Sequence, residues 1–127
     1  MNKMNDQKKI LLIEDENILL ELLSDKFKDS GFRVNCAQSA ESGIKLALQN
    51  HPDLILLDLI LPGMDGLAML KKLRHDSWGK DVPVIILSNL NDQTKVSEAM
   101  KIGVYDFLVK SNVKLSDIVK QVKEVLS

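Results

Sequence analysis

The sequence predicts an α/β fold, a parallel sheet with helices on both faces. Three observations carry this. Apolar runs at Ile10 to Ile13, Leu54 to Leu57 and Val84 to Leu87 have no polar face, the pattern of strands buried on both sides. The segments between them carry apolar residues at helical spacing. Strand-type and helix-type segments alternate five times along the 127 residues with no internal repeat, and such alternation favours a doubly wound parallel sheet.

Residues 1–7 are polar and read as a disordered lead-in, leaving 8–127 as one domain. Ile10 to Ile13 form the first strand, which ends in Glu14-Asp15-Glu16. A helix from about Asn17 to Ser30 follows, with Leu19, Leu20, Leu23 and Phe27 inward and Gly31 as its stop. From Phe32 to Ala37, apolar and polar residues alternate with a period of two, as in a half-exposed edge strand. Cys36 falls in it and is read as a small core residue. Ser39 is placed to cap the second helix, with Ile44, Ala47 and Leu48 on its inner face and its end before Pro52.

Leu54 to Leu57 are the third strand, closed by Asp58. A loop through Gly66 leads into a third helix, from about Leu67 to Arg74. Leu67, Leu70 and Leu73 point inward, and Lys71 and Lys72 outward. Trp78 anchors the polar loop that follows. Val84 to Leu87 are the fourth strand, closed by Ser88 and Asn89. Asp92 caps a fourth helix that Gly103 stops. Tyr105 to Val109 form the fifth strand, ending at Lys110. Leu115, Ile118, Val119, Val122, Val125 and Leu126 give the last helix its inner face. That helix runs to the chain terminus, and no second domain is expected.

Composition narrows the function classes. Charged residues make up 28% of the chain and apolar residues 45%, the balance of a globular protein. A net charge of -1 gives no electrostatic footprint for nucleic acid. The Lys8-Lys9 and Lys71-Lys72 pairs read as solvated faces. No apolar run reaches membrane-spanning length, and the polar start lacks the apolar stretch of a secretory signal. One cysteine rules out an internal disulfide and fits a reducing cytoplasm. His51 and His75 are isolated surface or helix-end residues, without the spacing of a zinc site.

The chemistry lies at the strand ends. Glu14 and Asp15 close the first strand, Asp58 the third, Ser88 the fourth and Lys110 the fifth. In a parallel sheet these ends share one edge, where open α/β sheets bind ligands. Asp58 there is a candidate phosphoryl acceptor. Converging carboxylates need a cation; their oxygen donors suit magnesium, or manganese, rather than zinc. Each residue also has an ordinary reading. Asp58 caps the following turn, Glu14 and Asp15 open the next helix, Ser88 satisfies a backbone group, and Lys110 is a surface lysine. Those readings do not explain why all five fall at successive ends of one edge.

Four segments carry a resemblance. They are Ile13-Glu14-Asp15, Leu57 through Gly66 (LDLILPGMDG), Pro83 through Ser88 (PVIILS) and Gly103 through Lys110 (GVYDFLVK). Together they resemble the receiver domain of two-component response regulators over nearly the whole chain. The resemblance implies a flavodoxin-like sheet in the order 2-1-3-4-5 with five helices. It implies that Asp58 takes a phosphoryl group from a sensor histidine kinase or phosphotransfer protein. By the same resemblance Glu14, Asp15, Asp58 and the Ile60 carbonyl hold Mg²⁺, Ser88 and Lys110 bond the phosphoryl oxygens, and Ser88 with Phe107 forms the switch. The output would be a changed face of fourth helix, fifth strand and fifth helix that binds a downstream protein. Tyr105 does not match the switch aromatic and is assigned to the surface. The module would be a switch rather than an enzyme, promoting only its own phosphorylation and dephosphorylation, and a cytoplasmic monomer or weak phosphorylation-linked homodimer.

Three features, at four positions, depart from the family pattern. Ser111 replaces the usual proline after the lysine, leaving the Lys110-Ser111 bond cis or trans. Asn89 stands where a small residue is commoner. Ile60 and Leu90 flank the site with apolar bulk, expected to hinder attacking water and lengthen the phosphorylated lifetime. The alternative function is a phosphorylation-independent interaction module. An aspartyl phosphatase lacks support because Ile60 stands where that class has an acid. A nucleotide-binding reading lacks a glycine-rich loop after the first strand.

Overall fold

The computed structural model describes residues 7–89 and 93–127. Five parallel strands form one sheet in the order β2-β1-β3-β4-β5. The strands are β1 (Lys9–Ile13), β2 (Arg33–Ala37), β3 (Leu54–Leu57), β4 (Val84–Ser88) and β5 (Asp106–Val109). The helices are α1 (Asn17–Asp29), α2 (Ala40–Asn50), α3 (Gly66–His75), α4 (Gln93–Ile102) and α5 (Leu115–Leu126). This is the predicted α/β architecture and strand order. The caps expected at Gly31, Ser39 and Gly103 are present. Ser39 Oγ accepts from the Ser42 N–H at 3.1 Å, and Gly31 and Gly103 have φ of 94° and 112°, where a side chain would strain the backbone. The lead-in over residues 1–6, the Asp92 cap and the flanking residue Leu90 lie outside the described residues.

Alternate side chains of the central strands enter opposite layers, because strand side chains point to the two faces in turn. Leu11, Ile13, Ile55, Leu57, Val84 and Ile86 pack with Ala47 of α2, Met69 and Leu70 of α3 and Ala99 of α4. Ile10, Leu12, Leu54, Leu56, Ile85 and Leu87 pack with Leu20, Leu23 and Phe27 of α1 and Ile118 and Val122 of α5. The uninterrupted apolar runs thus reflect two cores sharing one sheet.

Several expectations need correction. Cys36 is exposed: β2 is an edge strand, and the covering helices bury only Ala37 among its residues. Leu48 is 42% exposed. The buried stripe of α2 runs through Ala40, Gly43 and Ala47, and one residue past Ala47 turns about 100° around the helix to its flank. Lys9 is half-buried, and its ammonium donates to the Asn50 carbonyl at 2.6 Å rather than facing only solvent. Trp78 does anchor its loop, stacking on His51 with ring centroids 4.4 Å apart.

Arg74, read as the end of α3, has a larger part. Its guanidinium donates to the carbonyls of Gly79 at 2.7 Å, Val82 at 2.8 Å and Gly103 at 2.8 and 3.1 Å. It ties α3 to the loop before β4 and the turn before β5 at the sheet edge opposite the candidate site.

Candidate functional site

The carboxyl ends of the strands bring Glu14, Asp58, Ser88 and Lys110 into direct contact. Asp58 follows the last residue of β3, and its N–H extends the ladder by donating to the Ile13 carbonyl at 3.0 Å. As whole residues, Asp58 is 4% exposed and Glu14 3%. Ser88, the last residue of β4, is fully buried, and its hydroxyl donates to Asp58 Oδ1 at 2.8 Å. The Ile60 N–H donates to the same oxygen at 3.0 Å. Lys110 Nζ donates to Asp58 Oδ2 at 2.8 Å and pairs with Glu14 Oε1 at 2.7 Å. Glu14 Oε2 accepts from the Glu16 N–H at 3.0 Å. Both carboxylates are therefore satisfied on both oxygens, the condition for burying them.

The turn after Asp58 is packed too closely for most side chains at Gly66. A Cβ there would stand 2.4 Å from the Asp58 carbonyl oxygen and 2.6 Å from the Leu59 Cα. Glycine thus lets the first turn of α3 close over the backbone of the site. Asp65 caps that helix, its Oδ1 accepting from the Ala68 N–H at 2.8 Å. Glu41 of α2 steadies the same loop by accepting from the Met64 N–H at 3.3 Å.

Burial and ion pairing oppose each other here. Burial raises Glu14 above the ordinary glutamate range, against the lowering effect of Lys110 and the Glu16 N–H. Burial alone would lower Lys110; its hydrogen bonds to Asp58 and Glu14, with their charges, more than offset that and hold the ammonium above its usual range.

One carboxylate oxygen from each of Glu14, Asp15 and Asp58 falls in a group spanning no more than 4.8 Å, and Asp15 is exposed. An all-oxygen set open on one side fits a hard divalent cation and leaves room for water. These three residues could hold a metal. Phe107 is half-buried against the α2-α3-α4 core. Ile60 and Tyr105 are 52% and 57% exposed. The peptide bond after Lys110 is trans, and Lys110–Asn112 curl into a 3-10 turn.

One member of the cluster was not singled out from the sequence. Glu16 Oε1 lies 3.3 Å from Lys110 Nζ. Glu16 occupies the N-cap position of α1, yet its side chain makes no capping bond. The available signal was a third acid directly after the strand-end pair, at a cap position where shorter side chains are preferred.

The response regulator receiver domain model matches residues 10–123. Transcriptional regulatory protein AfsQ1 of Streptomyces coelicolor is 37% identical over 101 residues, covering 80% of this chain and 44% of that protein. DNA-binding dual master transcriptional regulator RpaA of Synechocystis is 35% identical over 102 residues, covering 80% and 42%. The chain thus spans less than half the length of these curated relatives. Among solved structures, the Francisella response regulator 1452 receiver domain matches with a TM-score of 0.84 at 28% identity, over 94% of this chain and 96% of that one. Chemotaxis response regulator CheY4 of Vibrio cholerae has a TM-score of 0.85 at 24% identity, covering 94% and 98%, which speaks for the fold alone.

Proposed function

This chain belongs to the family of response regulator receiver domains, and on that premise we propose that Asp58 accepts a phosphoryl group in a two-component relay. The observation that carries the reading is the buried Asp58 carboxylate, with the Ser88 hydroxyl and the Lys110 ammonium both 2.8 Å away. The donor is a phosphohistidine of a sensor kinase or phosphotransfer protein. An Asp58 oxygen attacks phosphorus in line, an O–P bond forms, the P–N bond breaks, and the departing imidazole takes a proton from solvent. Transfers of this kind depend on positioning and on charge stabilisation.

Glu14, Asp15, Asp58 and the Ile60 carbonyl would hold Mg²⁺ or Mn²⁺, which supplies positive charge to the phosphoryl oxygens. Lys110 and Ser88 already address the acceptor carboxylate, so a short movement of each donor redirects it to a phosphoryl oxygen. Ser88 shifting toward that group gives Phe107 room to turn inward from its half-buried position. The face of α4, β5 and α5 then changes shape for a downstream protein target; Met100 of α4 and Tyr105, just before β5, are exposed apolar side chains near it. The apolar Ile60 beside Asp58 hinders attacking water. No helix among the described residues is long and apolar enough to cross a membrane, and cytoplasmic action fits such a relay.

Intact mass after incubation with acetyl phosphate and Mg²⁺ tests the reading, with Asp58→Asn alongside. One added phosphoryl group in the parent alone, lost with time, is the expected result. No addition with any small donor or partner kinase sinks it and leaves the phosphorylation-independent interaction module.

A further inference from the structure

The ladder between β4 and β5 closes with Ser88 opposite Val109. Beyond that pair, Asn89 continues toward α4 and Lys110–Asn112 curl away in the 3-10 turn. The Ser111 N–H nevertheless has a partner within the protein. It donates to Asn89 Oδ1 at 3.1 Å. A side chain thus supplies one more rung, a step past the end of the ladder.

The two residues joined by this rung directly follow the two side chains that donate to Asp58. Ser88 Oγ reaches Oδ1 and Lys110 Nζ reaches Oδ2. Three hydrogen bonds and two peptide links therefore close a ring through Asp58, Ser88, Asn89, Ser111 and Lys110. The geometry points to Asn89 as a positioning residue that holds the Lys110 turn against the end of β4. It thereby sets the separation at which the Ser88 hydroxyl and the Lys110 ammonium meet whatever group Asp58 carries. This role rests on the proposed phosphoryl transfer and names a further residue for it.

The rung acts on position rather than on stability. Asn89 and Ser111 are both exposed, and water would serve the Ser111 N–H nearly as well. The bond therefore adds little to folding. Position is different. A 3-10 turn has poor hydrogen-bond geometry of its own, so an outside bond is needed to fix the point from which the Lys110 stem sets out toward Asp58 and Glu14. Where the turn sits decides where the ammonium arrives. Because the rung joins the two loops, displacement of Ser88 also carries the Lys110 turn with it.

The test compares the parent with Asn89→Ala and Ser111→Ala. The second keeps the backbone N–H and serves as control. Amide hydrogen exchange at position 111 is read by NMR without any phosphoryl donor. Phosphorylation rate is then read against acetyl phosphate concentration with saturating Mg²⁺. Expected for Asn89→Ala is a loss of protection at Ser111 and of maximal phosphorylation rate, each about three- to tenfold. Half-saturation should stay within about twofold and Tm within about 2 °C. Ser111→Ala should match the parent in all four. Unchanged protection in Asn89→Ala overturns the rung. Lost protection with a parental rate, or a rate loss tracking a fall in Tm, overturns the positioning role. A parent that accepts no phosphoryl group refutes the acceptor reading and with it the positioning role, while the exchange arm still decides whether the rung exists.

Discussion

Replacing Lys110 with methionine removes the ammonium from among Glu14, Asp58 and Glu16 while keeping most of the apolar stem. The Lys110 side chain is 11% exposed, and those of Glu14 and Asp58 are 4% and 5%. Breaking a buried pair by deleting one partner costs about 3–5 kcal/mol. Exposed Asp15 and Glu16 open one side of this cluster to water and counter-ions, so the expected loss is nearer ~2–4 kcal/mol without metal. For a domain of this size that is a fall in Tm of ~8–16 °C.

The pH dependence of this loss follows from the direction of each shift. Lys110 lies above its ordinary value of 10.5, so its stabilisation is complete below that value and fades only as pH rises through the higher folded value. Glu14 is also raised, so its ionised form is disfavoured in the fold and the folded state gains as pH falls through the raised value. Without Lys110 that value climbs further, and the penalty shrinks as Glu14 takes up its proton. A divalent cation replaces the missing charge, so Mg²⁺ should stabilise the variant more than the parent. Thermal denaturation of both proteins across pH, with and without Mg²⁺, checks each step. A neutral-pH Tm within about 2 °C of the parent, together with an equal Mg²⁺ increment in both, would show that the Lys110 ammonium does not balance the buried carboxylates.

Three further outcomes are expected. Gly66→Ala forces a methyl against the Asp58 carbonyl and Leu59 backbone; urea denaturation should show a loss of about 1–3 kcal/mol, and parental stability would contradict the close packing. Arg74→Lys cannot span the Gly79, Val82 and Gly103 carbonyls with one ammonium; a loss of about 1–3 kcal/mol is expected, with faster amide exchange in the turn before β5. Ile60→Asn exchanges an exposed apolar side chain beside Asp58 for one that can orient water; decay of the phosphorylated form should quicken by about two- to tenfold, and decay at the parental rate or slower counts against the shielding role.

The fold class and the grouping of most candidate site residues are legible in the chain's residue pattern alone. Runs such as Leu54 to Leu57 and Val84 to Leu87 are uniformly apolar because both of their faces are covered, a local property that needs no knowledge of partners. Parallel strands then place every carboxyl end at one edge, so Glu14, Asp58, Ser88 and Lys110 could be grouped from their places in the chain alone. Contacts between residues far apart in the chain are not legible there and emerge only from the packed fold. Glu16 meets Lys110 across 94 positions, Arg74 meets Gly103 across 29, and Asn89 meets the Ser111 N–H across 22. Hydrophobic periodicity reports which face of an element is covered. It carries no information on which polar side chain from another element reaches that point, because this depends on how the elements are set against one another and on rotamer choice. Cys36 shows the same limit: alternation identified a half-exposed edge strand, but only the packing of the covering helices, which bury Ala37 alone among its residues, left the thiol exposed.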